Sequence, residues 1–182
     1  LAEFLADAGG GHRIERTVHV ECAMFYRDGG AEELRPVGET ERVHQLTEAT
    51  QATSTRVAAG IVGLADLRLG AAVAPVLAAH RAASPRFRGV RFGTARDDSA
   101  QLHPSHTRPA ALLMQQADFR AGLRCVAEAR LVFDAWMYFS QLPELHEMAR
   151  ALPELRIVLD HAGGPVGIGA YAGRRQEVFA AW

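Results

Sequence analysis

Residues 157–165 read Ile-Val-Leu-Asp-His-Ala-Gly-Gly-Pro, an apolar run that ends in an acid, an imidazole and two glycines. A continuous apolar run is typical of a buried parallel strand, and in α/β proteins the chemistry gathers where such strands end. Asp160 and His161 occupy that end. The glycines allow a tight turn, through which a substrate or an ion can approach the imidazole closely. His161 is therefore the first candidate catalytic residue.

The rest of the chain repeats this strand pattern four more times. The predicted strands begin near residues 18, 61, 87, 132 and 157, and amphipathic helical stretches separate them. Such alternation predicts parallel strands joined by right-handed crossovers, in a barrel or in an open doubly wound sheet. The chain opens on a helix and stops inside one. We therefore expect part of a barrel, with one strand before residue 1 and others after Trp182.

Polar and aromatic side chains stand at the ends of the other predicted strands. They are Glu21, Asp66, Arg91, Asp134, Trp136 and Tyr138. In a barrel, Arg91 would point into the mouth, where its guanidinium could hold a substrate carboxylate through two hydrogen bonds. Trp136 and Tyr138 suit a pocket wall with one polar group, although large aromatics more often belong to a core. We predict that Glu21, Arg91, Trp136 and Tyr138 bind substrate, and we expect at least one of the strand-end acids to be structural.

The composition is that of an ordinary globular protein. Of the 182 residues, 48% are hydrophobic and 23% are charged, which suits one domain spanning residues 1–182. A formal net charge of -1 attracts neither nucleic acid nor a membrane surface, so neither is an expected partner. The N-terminus has no signal-peptide pattern. Cys22 and Cys125 lack any CxxC spacing, and we expect both to be reduced and mostly buried in a cytoplasmic protein.

The basic residues and the remaining histidines narrow the chemistry further. All 20 basic residues are arginine, which excludes a lysine Schiff base or a carboxylated lysine from this chain. His103 and His106 lie in residues 93–117, a predicted long functional loop, and no acid or cysteine stands beside them at ligand spacing. The other histidines away from strand ends are expected to be solvated or to lie on helix surfaces. These are His12, His44, His80 and His146.

Several spaced segments together resemble a known family. They are Glu21 and residues 36–41, 60–70, 87–91, 133–138, 159–165 and 171–175. This set resembles the amidohydrolase-related TIM-barrel hydrolases, and within them the subgroup that contains 2-pyrone-4,6-dicarboxylate lactonase and sulfomuconolactone hydrolase. The resemblance implies a (β/α)8 barrel of which this chain supplies about the second to the sixth strand. His161 then matches the histidine that ends the sixth strand.

The sequence also departs from the family pattern. The His-x-His pair of the first strand and the aspartate of the eighth are not in this sequence, and His19 and Glu21 lie on the segment that matches the second strand. Many relatives carry a histidine after the tyrosine of the fifth strand, where this chain has Phe139. The resemblance therefore leaves two alternatives open. His161 binds a divalent metal such as zinc, or it acts without a metal, as some lactonases of this group are thought to do.

The expected function is hydrolysis of a lactone, or of another activated carbonyl, in a small carboxylate-bearing ring compound. His161 would orient the water or the carbonyl oxygen, and the general base would come from a strand outside this chain. One alternative is a metal-dependent decarboxylase of the same superfamily. Another is a noncatalytic, five-stranded anion-binding module, although no GxGxxG or GxxxxGK[ST] pattern supports a nucleotide ligand. The expected substrate is a small-molecule carboxylate, and the protein could form a homo-oligomer. The chain alone is expected to be inactive and unstable, because an open barrel exposes strand edges.

Overall fold

The computed structural model describes all 182 residues and contains five strands and six α-helices. The strands are β1 (Arg16–Val20), β2 (Arg56–Leu64), β3 (Phe87–Arg91), β4 (Val132–Ala135) and β5 (Arg156–Leu159). The helices are α1 (Ala2–Ala8), α2 (Val37–Thr47), α3 (Ala74–Ala83), α4 (Ala117–Glu128), α5 (Leu142–Ala151) and α6 (Arg175–Ala181). The predicted alternation of strands and helices is confirmed.

The strands follow one another in the sheet in chain order, β1-β2-β3-β4-β5. β1 pairs with β2 in parallel, and β4 pairs with β5 in parallel. A doubly wound sheet reverses its strand order at a switch point, whereas a barrel adds each new strand beside the previous one. The sequential order therefore has the barrel pattern. It does not fit the doubly wound alternative, including the five-stranded anion-binding module.

The chain divides into two compact units. The first unit comprises residues 1–65 and 75–90, and the second comprises residues 66–74 and 91–182. None of the helices combines the length and the apolar character needed to cross a membrane.

The core of the first unit lies where α2 packs on β2. Val43 from the helix and Ala58 and Ile61 from the strand form one buried cluster. α2 and β2 can pack in this way because the helix turns its apolar residues to one side and the strand is buried along most of its length. The prediction that His80 lies on a helix surface is wrong, because this α3 side chain is fully buried in the same unit.

His80 can be buried because both of its ring nitrogens have partners. Nε2 lies 2.9 Å from the Leu64 carbonyl oxygen and Nδ1 lies 2.8 Å from the Thr40 hydroxyl. A carbonyl only accepts, so Nε2 carries the proton and Nδ1 accepts from Thr40. The ring also stacks on Phe87 with a centroid distance of 4.8 Å. Burial lowers the pKa of His80 to about 4 and keeps the imidazole neutral.

The core of the second unit is a row of three buried phenylalanines. Phe119 of α4 packs edge-on against Phe92 at 5.7 Å and against Phe133 of β4 at 6.2 Å. Gly122 allows α4 to approach the neighbouring segment closely, because a Cβ at that position would collide with the Leu67 carbonyl oxygen. The ends of β4 and β5 in this unit position the candidate site.

Candidate functional site

His161 lies in a short turn that directly follows β5. Residues Asp160–Gly163 form a tight turn whose backbone is left-handed at His161 and Ala162, with φ angles of 48° and 53°. Two consecutive non-glycine residues with positive φ are uncommon and store strain of about 1–3 kcal/mol each. Strain of this kind persists only where the surroundings hold the backbone in place, and it concentrates at functional sites. The backbone at His161 is therefore held in a strained, left-handed conformation.

Gly164 ties this turn to the chain that follows β4. Its carbonyl oxygen accepts a hydrogen bond of 3.1 Å from the Phe139 backbone N–H. Its φ is 61°, and a Cβ there would collide with the Met137 carbonyl oxygen, so only glycine fits without a shift of the backbone. The predicted tight turn at the glycines is present, and Gly164 lets the chain that follows β4 approach closely.

The imidazole of His161 belongs to a row of three aromatic rings. It packs edge-on against Trp136, with 4.6 Å between the ring centroids, and Trp136 packs edge-on against Tyr138 at 5.7 Å. His161 is exposed, and Trp136 and Tyr138 are half-buried. The ends of β4 and β5 therefore bring three of the predicted site residues together. The half-buried aromatic rings form a wall beside the imidazole.

Arg91 forms an ion pair with Asp160, the residue that precedes His161. Its Nη1 lies 3.2 Å from Oδ2 of Asp160, and the side chains of the two residues are only 20% and 17% exposed. A partly buried pair is screened less by water than a surface pair and holds its geometry better. Asp160 thus positions the guanidinium one residue away from His161. The sequence singled out both residues and did not predict that they pair.

The predicted functional loop, residues 93–117, is hydrogen-bonded to the segment that follows β4. The Tyr138 hydroxyl donates a hydrogen bond of 2.6 Å to the His103 carbonyl oxygen. The Gln141 side chain donates to the Thr94 carbonyl oxygen at 2.8 Å and accepts from the Arg96 backbone N–H at 2.9 Å. Sequence analysis missed Gln141, because nothing in its local sequence distinguishes it from a surface residue at the start of a helix.

A cleft of the second unit lies beside this loop and has a volume of about 620 Å³. Its lining includes Arg96, Asp97, Gln141, Glu144 and Tyr171. Neither His161 nor Arg91 lines it.

Glu21, the remaining predicted substrate-binding residue, belongs to the first unit. It follows β1, its backbone N–H donates to the Val62 carbonyl oxygen at 2.9 Å, and its side chain is buried. The expectation that Cys22 is buried is wrong, because Cys22 is exposed. It lies beside His19 and Glu39, and the three residues form a group of potential metal ligands. Sequence analysis missed this group, since Glu39 is 17 residues away from Cys22 along the chain.

The side chains around His161 determine whether this site could bind a divalent metal ion. A zinc site takes at least three protein ligands. Asp160, which precedes His161, is paired with Arg91. The three potential metal ligands that lie close together, His19, Cys22 and Glu39, are in the first unit. The side chains of this chain around His161 therefore do not by themselves fit a metal ion.

Comparison with known proteins identifies related sequences. The sequence model of the amidohydrolase family matches residues 19–182. An uncharacterized protein of Sinorhizobium fredii, y4mH, is 28% identical over 167 residues, and the match covers 90% of this chain and 49% of that protein. An L-fucono-1,5-lactonase of Burkholderia ambifaria is 34% identical over 156 residues, with 78% of this chain and 49% of that protein covered. The chain spans about half the length of these curated relatives.

A solved structure shows the same fold. The crystal structure of a Burkholderia multivorans amidohydrolase with bound HEPES superposes with a TM-score of 0.54 at 24% sequence identity. The match covers 93% of this chain and 63% of that protein. Together with the sequential strand order, this likeness confirms the predicted fold class, a partial (β/α)8 TIM barrel.

Proposed function

Because the chain belongs to the amidohydrolase family, we propose that it hydrolyses a lactone, or another activated carbonyl, of a small ring compound that carries a carboxylate. One observation carries the proposal. Asp160 holds the Arg91 guanidinium at 3.2 Å, and the next residue, His161, packs on Trp136 at 4.6 Å. A fixed cation, an exposed imidazole and an aromatic wall are thus neighbours at the ends of β3, β4 and β5.

In the proposed reaction, a water oxygen bonds to the lactone carbonyl carbon and the ring C–O bond breaks. The ring oxygen leaves as a hydroxyl after it takes up a proton, and the product is an open-chain hydroxy acid. His161 orients the attacking water or the carbonyl oxygen, because one imidazole nitrogen can accept a hydrogen bond while the other donates one. Its strained backbone and its contact with Trp136 support a fixed ring position.

The role of Arg91 is to hold the substrate carboxylate. A guanidinium presents five N–H donors in a planar fork that matches a carboxylate. Asp160 bonds to Nη1 of this fork and keeps it aimed. Trp136 and Tyr138 supply an apolar wall for the substrate ring. A small-molecule acid is therefore the proposed partner.

In a second version of the proposal, His161 is a ligand of a divalent metal ion. Since the neighbouring side chains of this chain do not fit an ion by themselves, no step is assigned to one. Decarboxylation of a similar acid would use the same residues. The likeness to an L-fucono-1,5-lactonase favours ring opening of a lactone and adds uncharged sugar lactones as a second substrate class.

The proposal is tested in the native protein by substituting His161→Asn and measuring two products from a panel of lactones. Acid release reports hydrolysis, and carbon dioxide release reports decarboxylation. We expect acid release that falls by about 100-fold or more in the variant, as for loss of a group that assists proton transfer. The matched control is His146→Asn, an exposed histidine on α5, which should leave turnover unchanged. Unchanged turnover in the His161 variant, or carbon dioxide as the product, overturns the proposal.

A further inference from the structure

Three side chains of the first unit bring different metal-binding atoms together. His19 lies on β1, Cys22 follows that strand, and Glu39 lies in the first turn of α2. His19 Nε2 is 3.0 Å from Glu39 Oε1, and Cys22 Sγ is 3.2 Å from the same oxygen. All three donor atoms lie within 4.8 Å of one another. An imidazole, a thiol and a carboxylate therefore converge on one point.

The Glu39 carboxylate has binding capacity that the fold does not use. The residue is 2% exposed, and its Oε1 accepts from the Cys22 backbone N–H at 2.9 Å as well as from the thiol. Its Oε2 is buried and has no hydrogen-bond partner. A buried carboxylate oxygen without a partner is costly, and native structures usually avoid it. A cation bound by both carboxylate oxygens, next to the imidazole and the thiol on the Oε1 side, would satisfy Oε2.

Two titratable groups of the cluster have shifted pKa values. Burial raises the pKa of Glu39, but hydrogen bonds from His19 and Cys22 outweigh burial and lower the pKa below its usual value. The nearby Tyr26 hydroxyl is buried without a partner, and burial raises its pKa, with the charges of Glu21 and Glu39 adding to the effect. Tyr26 thus remains a protonated donor beside the cluster.

We propose that His19, Cys22 and Glu39 bind a zinc ion, with the fourth coordination position open to solvent or to a small ligand. In a tetrahedral zinc site with bonds of about 2.0–2.3 Å, the ligand atoms lie about 3.5 Å apart. The two distances of 3.0 and 3.2 Å need only a small outward adjustment to reach that spacing. A thiolate selects zinc over magnesium and calcium, which prefer oxygen ligands.

The three residues also provide a route for the ion. Cys22 is exposed, His19 is partly exposed and Glu39 is buried, so the ion enters from the thiol side and meets the carboxylate last. On binding, the thiol loses its proton to solvent. The proton that Nε2 of His19 donates to Glu39 moves through solvent to Nδ1, so that the freed Nε2 lone pair faces the ion. The alternative is that Glu39 has only a structural role, in which its carboxylate accepts the Cys22 backbone N–H and so fixes the chain after β1. That reading explains one carboxylate oxygen and leaves the imidazole, the thiol and the second oxygen unexplained.

The test uses the purified protein after treatment with a chelator, titrated with Co²⁺ as a spectroscopic substitute for Zn²⁺. Bound Co²⁺ with a thiolate ligand gives a charge-transfer band in the near ultraviolet. We expect this band to saturate at one equivalent and to be displaced by Zn²⁺. The matched controls are Cys125→Ser, the other cysteine, and His161→Asn, and both should keep the band.

Two variants remove ligands in different ways. In Cys22→Ser the exposed thiol is lost without disturbing a core, and the band should disappear, with Zn²⁺ affinity lower by at least about 100-fold. Glu39→Gln should also weaken Zn²⁺ binding, and its thermal unfolding shows whether the first unit remains folded. The absence of a band in the wild-type protein, or a band that survives in Cys22→Ser, overturns the proposal. Loss of the band only in His161→Asn overturns it as well, because the ion would then belong to the other site.

Discussion

The Arg91 guanidinium lies 3.2 Å from the Asp160 carboxylate and so joins the last residue of β3 to the first residue after β5. The two side chains are largely shielded from solvent, and Asp160 directly precedes His161. The ion pair therefore links the cation that we propose to hold the substrate acid to the turn that presents the imidazole. A defect in either residue should affect the other.

Substitution Arg91→Met in the native protein should lower activity toward charged lactones more than activity toward uncharged ones. A charge-assisted hydrogen bond contributes about 1.5–3 kcal/mol, so kcat/KM for a carboxylate-bearing lactone should fall by about 10- to 100-fold. A lactone without a carboxylate should lose much less. Steady-state kinetics on a matched pair of lactones measures the difference.

The control for this experiment is Arg88→Met, on the same strand. Arg88 donates to the carbonyl oxygens of Pro85 and Phe87 and has an exposed side chain, so its loss should leave the ratio of the two substrates unchanged. Equal losses for both lactones in Arg91→Met would show that Arg91 supports the structure and does not recognise the acid group.

Substitution Gly164→Ala should destabilise the turn that carries His161. The new Cβ would meet the Met137 carbonyl oxygen at a φ of 61°, so the free energy of unfolding should fall by about 1–3 kcal/mol. Urea unfolding followed by tryptophan fluorescence measures it, since Trp136 packs on His161. Gly167→Ala is the matched control, because nothing lies within 4 Å of a Cβ at Gly167. Equal stabilities of the two variants would contradict the close approach at Gly164.

Substitution Tyr138→Phe should loosen residues 93–117. It removes the 2.6 Å hydrogen bond to the His103 carbonyl oxygen, a loss of about 1 kcal/mol, or about fivefold in a local opening equilibrium. Hydrogen exchange of the Leu102 and Ser105 amides, which donate to Ser99 and Ala95, should quicken by that factor. The amides of α5 serve as an internal reference. Exchange that quickens equally in α5 would indicate general destabilisation instead.

Burial of His80 should make the first unit less stable in acid. The pKa of His80 is about 4 in the folded chain, against 6.5 for an ordinary histidine, because burial disfavours the charged form. Above about pH 6.5 the imidazole is neutral in both states and the full stability is present. Between about pH 6.5 and pH 4 only the unfolded chain takes up the proton. Stability should therefore decrease by up to about 3 kcal/mol as the pH falls through this window.

Urea unfolding of His80→Gln across the same range checks the assignment. Glutamine cannot titrate, so the variant should be less stable near neutral pH but should lose much of the acid dependence. His146→Gln, at an exposed position, should retain the wild-type pH profile. A His80 variant with the full wild-type slope would show that other groups cause the acid sensitivity.

Local sequence was sufficient for the elements and for part of the site. The sequence predicts strands near residues 18, 61, 87, 132 and 157, and the strands begin at 16, 56, 87, 132 and 156. The apolar runs and the glycines that end them are short-range signals, so they can be read directly. These short-range signals do not predict whether an individual polar side chain is buried. His80 has the local pattern of a helix-surface residue, yet it is buried because Leu64 and Thr40 satisfy its two nitrogens.

The sequence by itself determined that Arg91, Trp136, Tyr138 and His161 follow or end strands, because strand ends depend on neighbouring residues. Only the tertiary structure decided that Asp160 pairs with Arg91, 69 residues away, and that Glu39 meets His19 and Cys22. Such contacts depend on how strands are ordered and helices packed, and no local pattern of side chains specifies the few ångströms that separate an ion pair from two unrelated charges.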